Sequence, residues 1–228
     1  MINRYYENLA LYYILGAIKK LNNTDIDYLL NKSVESLTLD DKTTLFDFAI
    51  KNDLKLHYFK KSERILPRIH KVLSFLKGVY FESLLDVGSG RGAFLIPFLN
   101  DFPFIKTTSI DVLEHRVDML SCIIGGGLEN LSVLKSDIVN DFIPPKSVDV
   151  VTLLEVLEHI PNVKKAIENA VKIAKKYIIV TVPSKEDDNP EHIHLLDKQT
   201  LTNYFNECGV TNLSFDGVNG HLFMVGKL

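Results

Sequence analysis

Apolar residues recur along this chain at two periods, and the change falls near residue 83. Before it the spacing is helical: Leu9, Tyr12, Tyr13, Leu15, Ile18 and Leu21 fall on one face of an element that Asn22-Asn23 ends. Thr24 to Leu30 reads as a short helix capped by Thr24. Thr38 caps a third helix that carries Leu45, Phe46, Phe48 and Ala49. Ser62 opens a longer one, with Ile65, Ile69, Val72, Leu73 and Phe75 on one side, that ends near Lys77-Gly78. Beyond residue 83 short apolar runs alternate with amphipathic stretches. The runs at 84–87, 107–110, 131–134, 148–154 and 177–182 are predicted strands, and the stretches near 92–100, 113–124 and 162–174 predicted helices. A further helix over 198–207, stopped by Gly209, precedes two strands near 212–216 and 221–225. These are joined through Val218-Asn219-Gly220, and Asn-Gly is a strong hairpin signal.

Alternation of this kind builds a mostly parallel α/β sheet with helices on both faces. Residues 1–80 are therefore expected to form an N-terminal helical extension and residues 81–228 the sheet domain. The extension is expected first to pack against the sheet; covering a bound ligand or shaping a substrate pocket are the other roles open to it. No internal repeat or low-complexity tract is visible.

Composition narrows the class. A chain of 228 residues, 46% apolar and 24% charged, has enough length for one substantial core. A net charge of −3 gives no global attraction to nucleic acid. The pairs Lys19-Lys20, Lys60-Lys61, Lys164-Lys165 and Lys175-Lys176 read as solvated helix faces or ends. Two cysteines, Cys122 and Cys208, without ligand-like spacing point to a reducing, cytoplasmic setting. The first residues, Met1 to Tyr6, carry no signal-peptide core, and no apolar stretch is long enough to span a bilayer, so no membrane association is expected.

The chemistry concentrates in Leu84-Leu85-Asp86-Val87-Gly88-Ser89-Gly90-Arg91-Gly92. A buried strand is predicted to end at Val87 and a helix to begin near Arg91. Glycines between them let the backbone turn sharply and approach a ligand with no Cβ in the way. This describes a nucleotide-type cofactor pocket at the carboxyl end of a first strand. Gly88-x-Gly90-x-x-Ala93, followed by Asp111, also satisfies the dinucleotide fingerprint, so an NAD-dependent oxidoreductase stays open on these residues. Asp86 two residues before the first glycine, and Gly92 in strict alternation, extend the pattern. With them the segment resembles the first motif of the class I S-adenosylmethionine (SAM) methyltransferases. The resemblance continues through Asp111, Ser136-Asp137 and Leu154-Glu155-Val156-Leu157-Glu158-His159, covering roughly residues 80 to 228.

The resemblance implies a Rossmann-like, seven-stranded mixed sheet with the last strand inserted antiparallel, and SAM as cofactor, leaving S-adenosylhomocysteine (SAH). It implies that Asp86, Gly88, Ser89, Gly90 and Gly92 form the cofactor loop. Asp86 would lie near the amino group of the methionine part, or brace the glycine turn. It implies that Asp111, with Val112, accepts from the ribose hydroxyls, although Asp111 also suits a helix cap. Asp137 would accept from the adenine amino group and the Ile138 backbone N–H would donate to the ring, while Leu154 and Glu155 would pass the methionine moiety. Asp141 and Asp149 resemble these acids only in type, and Asp149 is expected to be structural.

His192 and His194, after the fifth strand and the acidic loop 185–189, are the candidate catalytic residues. At least one is expected to border the methyl-bearing end of the cofactor. If 155–159 form a helical turn, Glu155, Glu158 and His159 share one face and have the donor set for a divalent metal. Small-RNA 2′-O-methyltransferases and ubiquinone-pathway O-methyltransferases look similar here and use such a cluster with metal. Pro161 and Asn162 suggest a plain helix start instead, and no metal is expected. The expected activity is methyl transfer to a small-molecule acceptor, nucleic acid being disfavoured. The alternatives are a metal-dependent O-methyltransferase acting on RNA or a quinone precursor, an NAD-dependent oxidoreductase and a non-catalytic SAM-binding subunit.

Overall fold

The computed structural model describes residues 4–23, 25–61, 66–185 and 188–228. The Thr24 cap, the helix start at Ser62 and Ile65 lie outside the described residues.

Seven strands form one sheet: β1 (Ser83–Val87), β2 (Lys106–Asp111), β3 (Leu131–Lys135), β4 (Val148–Leu154), β5 (Ala174–Pro183), β6 (Asn212–Val218) and β7 (His221–Lys227). Their order is β3-β2-β1-β4-β5-β7-β6. The first five pair in parallel, and β7 runs antiparallel between β5 and β6, so the expected mixed sheet is present. The hairpin turn is the two-residue loop that Asn-Gly favours, with positive φ at both Asn219 (40°) and Gly220 (85°). β5 starts earlier than its apolar run suggests, because Ala174 pairs with Val148 across a register shift before the regular ladder begins.

Period-two alternation splits the core into two layers. Leu84, Val150 and Ile179 face one side of the sheet, and Leu85, Val151 and Ile178 face the other. The second side is covered by α6 (Val163–Ile173), which the Asn162 side chain caps, and α7 (Lys198–Glu207), which Asp197 caps. The first is covered by α3 (Pro67–Lys77), α4 (Leu95–Asp101), α5 (Glu114–Gly125) and the N-terminal helices α1 (Glu7–Leu21) and α2 (Leu39–Lys51). Thr38 and Asp41 form a reciprocal capping box at the start of α2. Asn22 ends α1 in the left-handed conformation, where its N–H reaches the last carbonyls of the helix.

The N-terminal helices are joined to the rest of the fold through the contact of α1 with α5. A Cβ added at Gly16 would sit 1.8 Å from the Cys122 carbonyl oxygen, and one at Gly126 would sit 1.8 Å from the Tyr12 carbonyl oxygen. Only glycine lets the two backbones approach this closely. Lys19 Nζ, donating to the Gly125 carbonyl at 2.7 Å, closes the same contact. At the amino ends of β1 and β4 Asp149 accepts from the Glu82 N–H and from Lys176, the structural role expected of it. No helix among the described residues is long and apolar enough to cross a membrane.

Candidate functional site

Strand order reverses between β1 and β4, and in open α/β sheets ligands bind outside the carboxyl ends of the strands at such a point. A cavity of about 550 Å³ lies there. Of the residues expected to bind a cofactor, Gly88, Gly90, Asp111, Val112, Asp137, Ile138 and Glu155 line it. Asp86, Ser89, Gly92 and Leu154 do not.

The loop after β1 stays out of right-handed helix for longer than its sequence suggests. Gly88, Gly90 and Gly92 have φ of 67°, 54° and 78°, so α4 begins only at Leu95 rather than near Arg91. Two of these glycines are also fixed by space. A Cβ on Gly88 would meet Val156 Cγ2 at 2.8 Å, and one on Gly92 would meet Ile96 Cγ1 at 2.7 Å.

Asp86 lies behind the loop, paired in register with Ser109 of β2 and Thr152 of β4. Its carboxylate accepts from Ser89 Oγ at 2.5 Å and Thr152 Oγ1 at 2.7 Å, and Ser89 in turn meets Ser109 Oγ at 2.6 Å. Burial pushes the Asp86 carboxyl up to about 6, the two hydroxyl bonds offset part of that rise, and the nearby Asp111 charge adds to it. Asp86 thus braces the glycine turn.

Asp111 ends β2 at the cavity wall and is 6% exposed. Its Oδ2 accepts from the Gly90 N–H at 3.1 Å and its Oδ1 from the Leu113 N–H at 2.9 Å. The carboxylate thus ties the glycine loop to the start of α5 and keeps lone pairs for a ligand's hydroxyls. Asp137 is fixed in the same manner: Oδ1 accepts from the Val139 N–H at 2.8 Å and Oδ2 from Asn140 Nδ2 at 2.6 Å. Its own N–H donates to Asp141 Oδ2 at 2.7 Å, so Asp141 braces the Asp137 turn.

The segment after β4 is not the single helical turn over 155–159 that would put Glu155, Glu158 and His159 on one face. Glu155 is left-handed, with φ of 58°, and only Leu157–His159 form a 3₁₀ turn. Glu155, Glu158 and His159 consequently do not share a face. The Glu155 carboxylate turns to His221 Nε2 at 3.0 Å and faces Arg68 Nε at 3.8 Å, while its N–H donates to the Thr181 carbonyl at 2.9 Å. Glu158 is buried, and with His159 it meets His192 instead: one ligand atom from each lies within 4.8 Å of the others. His159 Nδ1 lies 2.9 Å from the Glu191 carbonyl, which only accepts, so Nδ1 donates there and the ring's orientation is fixed. The His159 and His192 rings stand edge to face at 4.8 Å, and the Ile193 N–H donates to the Glu158 carbonyl at 2.9 Å, clamping the two segments together.

Neither His192 nor His194 lines the cavity. His192 reaches it only through His159, which does, and His194 Nε2 is enclosed without a hydrogen-bond partner. Val156 and His159, from the segment expected at the pocket's substrate side, line the cavity, and so do Arg91, Arg116 and Glu191, which are not among the expected site residues. Arg116 was the most accessible of these to sequence reading, since a helix starting after Asp111 aims its first turn at the pocket. Arg68 and His221 carry no local signal; the fold alone brings them to Glu155.

A family profile described as a methyltransferase domain matches residues 57–214. Among curated proteins, the chain is 31% identical over 124 residues to the ubiquinone biosynthesis O-methyltransferase of Rickettsia akari (strain Hartford), covering 54% of this chain and 45% of that protein. It is 32% identical over 96 residues to ribosomal RNA small subunit methyltransferase G of Lactococcus lactis subsp. lactis (strain IL1403), covering 42% of this chain and 38% of that protein. The chain thus spans less than half the length of either relative. Among solved structures, a SAM-dependent methyltransferase from Aquifex aeolicus superposes with a TM-score of 0.58 at 23% identity, over 72% of this chain and 90% of that one. The N-terminal domain of EvdMO1 with SAH bound gives 0.58 at 14% identity, over 73% and 82%. These two share the fold.

Proposed function

The chain belongs to the methyltransferase-domain family, and on that premise we propose that it transfers a methyl group from SAM to a small-molecule acceptor in the cytoplasm. The observation that carries this reading is the cavity above β1 and β4, with the glycine loop at one end and two fixed carboxylates, Asp111 and Asp137, along it. In this reading Asp111 takes the ribose hydroxyls, Val112 flanks them, and Asp137 with the Ile138 N–H takes the adenine. Gly88 and Gly90 admit the methionine part, which runs on past Leu154 and Glu155. Asp86, Ser89 and Gly92 hold the loop in shape behind it.

Transfer is a direct displacement. SAM, when bound, would supply a sulfonium methyl group that an acceptor lone pair displaces, the carbon–sulfur bonding electrons staying on sulfur as the neutral thioether of SAH. The protein's task is alignment of nucleophile, carbon and sulfur. An O–H or N–H acceptor also releases a proton; His159, backed by His192, is the ring placed at the cavity to receive it. Membership of the methyltransferase family sets the nicotinamide alternative aside. The test is transfer of radiolabelled methyl from SAM to a panel of phenols, catechols and amines, with ribosomal RNA as the competing acceptor class. Label in a small acceptor supports the reading; label in RNA alone, or none with SAH still bound, replaces it with an RNA enzyme or a non-catalytic subunit.

A second reading, a metal-dependent O-methyltransferase, is favoured by the convergence of Glu158, His159 and His192. The residues fit an ion in donor type and in the locked orientation of His159, with His192 rather than Glu155 as the third donor. Bound there, a divalent ion would supply Lewis-acid activation of an acceptor oxygen.

A further inference from the structure

A second cavity, of about 350 Å³, lies between α1, α5 and the 3₁₀ turn Leu56–Phe59 with the residues preceding it. Its wall is apolar: Tyr13, Leu54, Tyr58 and Met119 contribute, and Leu21, 54% exposed, extends it to the rim. The charge around it is one-sided. Lys20, Lys55 and Arg116 converge on it against a single carboxylate, Asp118, which already pairs with Lys20 at 3.3 Å. In a chain of net charge −3 this is a local reversal of sign.

Arg116 stands at the boundary. Its side chain borders both this cavity and the glycine-loop cavity, and its Nε is enclosed without a hydrogen-bond partner. An enclosed guanidinium N–H left unmade is costly, and the planar fork of donors matches a carboxylate or phosphate. A cationic rim over an apolar wall is the chemistry that recognises an amphipathic anion, polar at one end and flat or short-chained at the other.

We propose that this second cavity binds an amphipathic organic anion, its carboxylate or phosphate on Arg116 and Lys55 and its apolar body against Tyr13, Leu54 and Met119. Arg116 couples its occupancy to the glycine-loop cavity, and thermodynamic linkage makes that coupling reciprocal. The site is separate from the one assigned to SAM and does not depend on that assignment.

The test titrates 1-naphthyl phosphate, 1-naphthoate and uncharged 1-naphthol into the full chain, with and without saturating SAH. The expected result is one-to-one binding of at least one anion, at least tenfold tighter than naphthol, with the phosphate and carboxylate arms identifying the preferred head group. Lys55→Glu, a change at an exposed lysine, weakens the anion at least tenfold, and so does Arg116→Gln; thermal unfolding checks that both variants are folded. With SAH present the anion still binds, at an affinity shifted at least twofold. Binding no tighter than naphthol, or unchanged in Lys55→Glu, overturns the site. Competitive displacement by SAH also overturns it, by placing the probe in the glycine-loop cavity. An SAH-independent affinity overturns the coupling. If SAH itself fails to bind, the Lys55→Glu comparison still decides the site, while the SAM reading fails separately.

Discussion

Gly90 and Asp111 are held 3.1 Å apart, backbone N–H to carboxylate Oδ2, and that bond joins the glycine loop of β1 to the end of β2. The other carboxylate oxygen takes the first free N–H at the approach to α5, that of Leu113. One side chain thus shapes the cavity and remains available to whatever enters it.

Replacing Asp111 by Ala strands both N–H groups and removes the ribose acceptor. Hydrogen bonds to a charged group contribute about 1.5–3 kcal/mol, so SAH affinity should fall roughly ten- to a hundredfold, with a stability loss of similar order. Asp111→Asn, which keeps one acceptor oxygen, should lose less of each. Calorimetric titration and urea unfolding read the two effects. Unchanged SAH affinity in folded Asp111→Ala would reduce the residue to a brace.

Asp86 gives the cofactor-free protein a pH dependence of definite sign. Burial raises its carboxyl to about 6 in the fold, above the value of about 3.9 expected in the unfolded chain. The protonated form is therefore favoured by folding. The stabilisation is fully present below pH about 4 and is lost as pH rises through about 6, about 3 kcal/mol in all. Asp86→Asn should remove this dependence, leaving a variant that loses less stability than the parent between pH 5 and pH 7.5. Parallel urea midpoints for the two proteins across that range would contradict the burial assignment.

Gly16 and Gly126 test whether the extension is part of the same cooperative unit. A methyl at either site collides with backbone across the α1–α5 contact, so Gly16→Ala and Gly126→Ala should each cost about 3 kcal/mol or more. Gly217→Ala, with nothing within 4 Å of the added Cβ, is the control and should cost little. We expect one unfolding transition for the whole chain, lowered by the first two changes. Two separate transitions, with only the earlier one moved, would show the extension folding by itself.

The metal-dependent reading has its own measurement. Mn²⁺ titration followed by electron paramagnetic resonance should show one site whose affinity drops at least tenfold in His192→Ala and is little changed in Glu155→Gln, since Glu155 is engaged by His221 and faces Arg68. Binding lost in Glu155→Gln but kept in His192→Ala would make Glu155, Glu158 and His159 the ligand set instead. Binding only at millimolar Mn²⁺ in the parent would leave the metal-free reading alone.

What could be read from the chain was what local chemistry writes. Asn219-Gly220 specifies its hairpin, Thr38 its cap, and the alternating glycines after Asp86 their turn, because each depends on residues within a few positions of one another. The ends of elements were less legible: α4 starts late because Gly92 holds positive φ, and β5 starts early because Ala174 finds Val148. The substrate side was least legible. Glu155 leaves the 157–159 turn because its backbone is left-handed, and its partners come from α3 and β7. No periodicity announces that Arg68 or His221 will arrive there, or that His192 will fold back on His159.

The most direct measurement is calorimetric titration of the purified chain with SAH, SAM, NAD and NADPH, with thermal unfolding alongside. The account predicts one-to-one binding of SAH and SAM and a raised melting temperature with each, because a ligand that binds only the folded state stabilises it. It predicts much weaker effects from the nicotinamide cofactors and loss of SAH binding in Asp111→Ala. Binding of NAD without binding of SAM or SAH would contradict it.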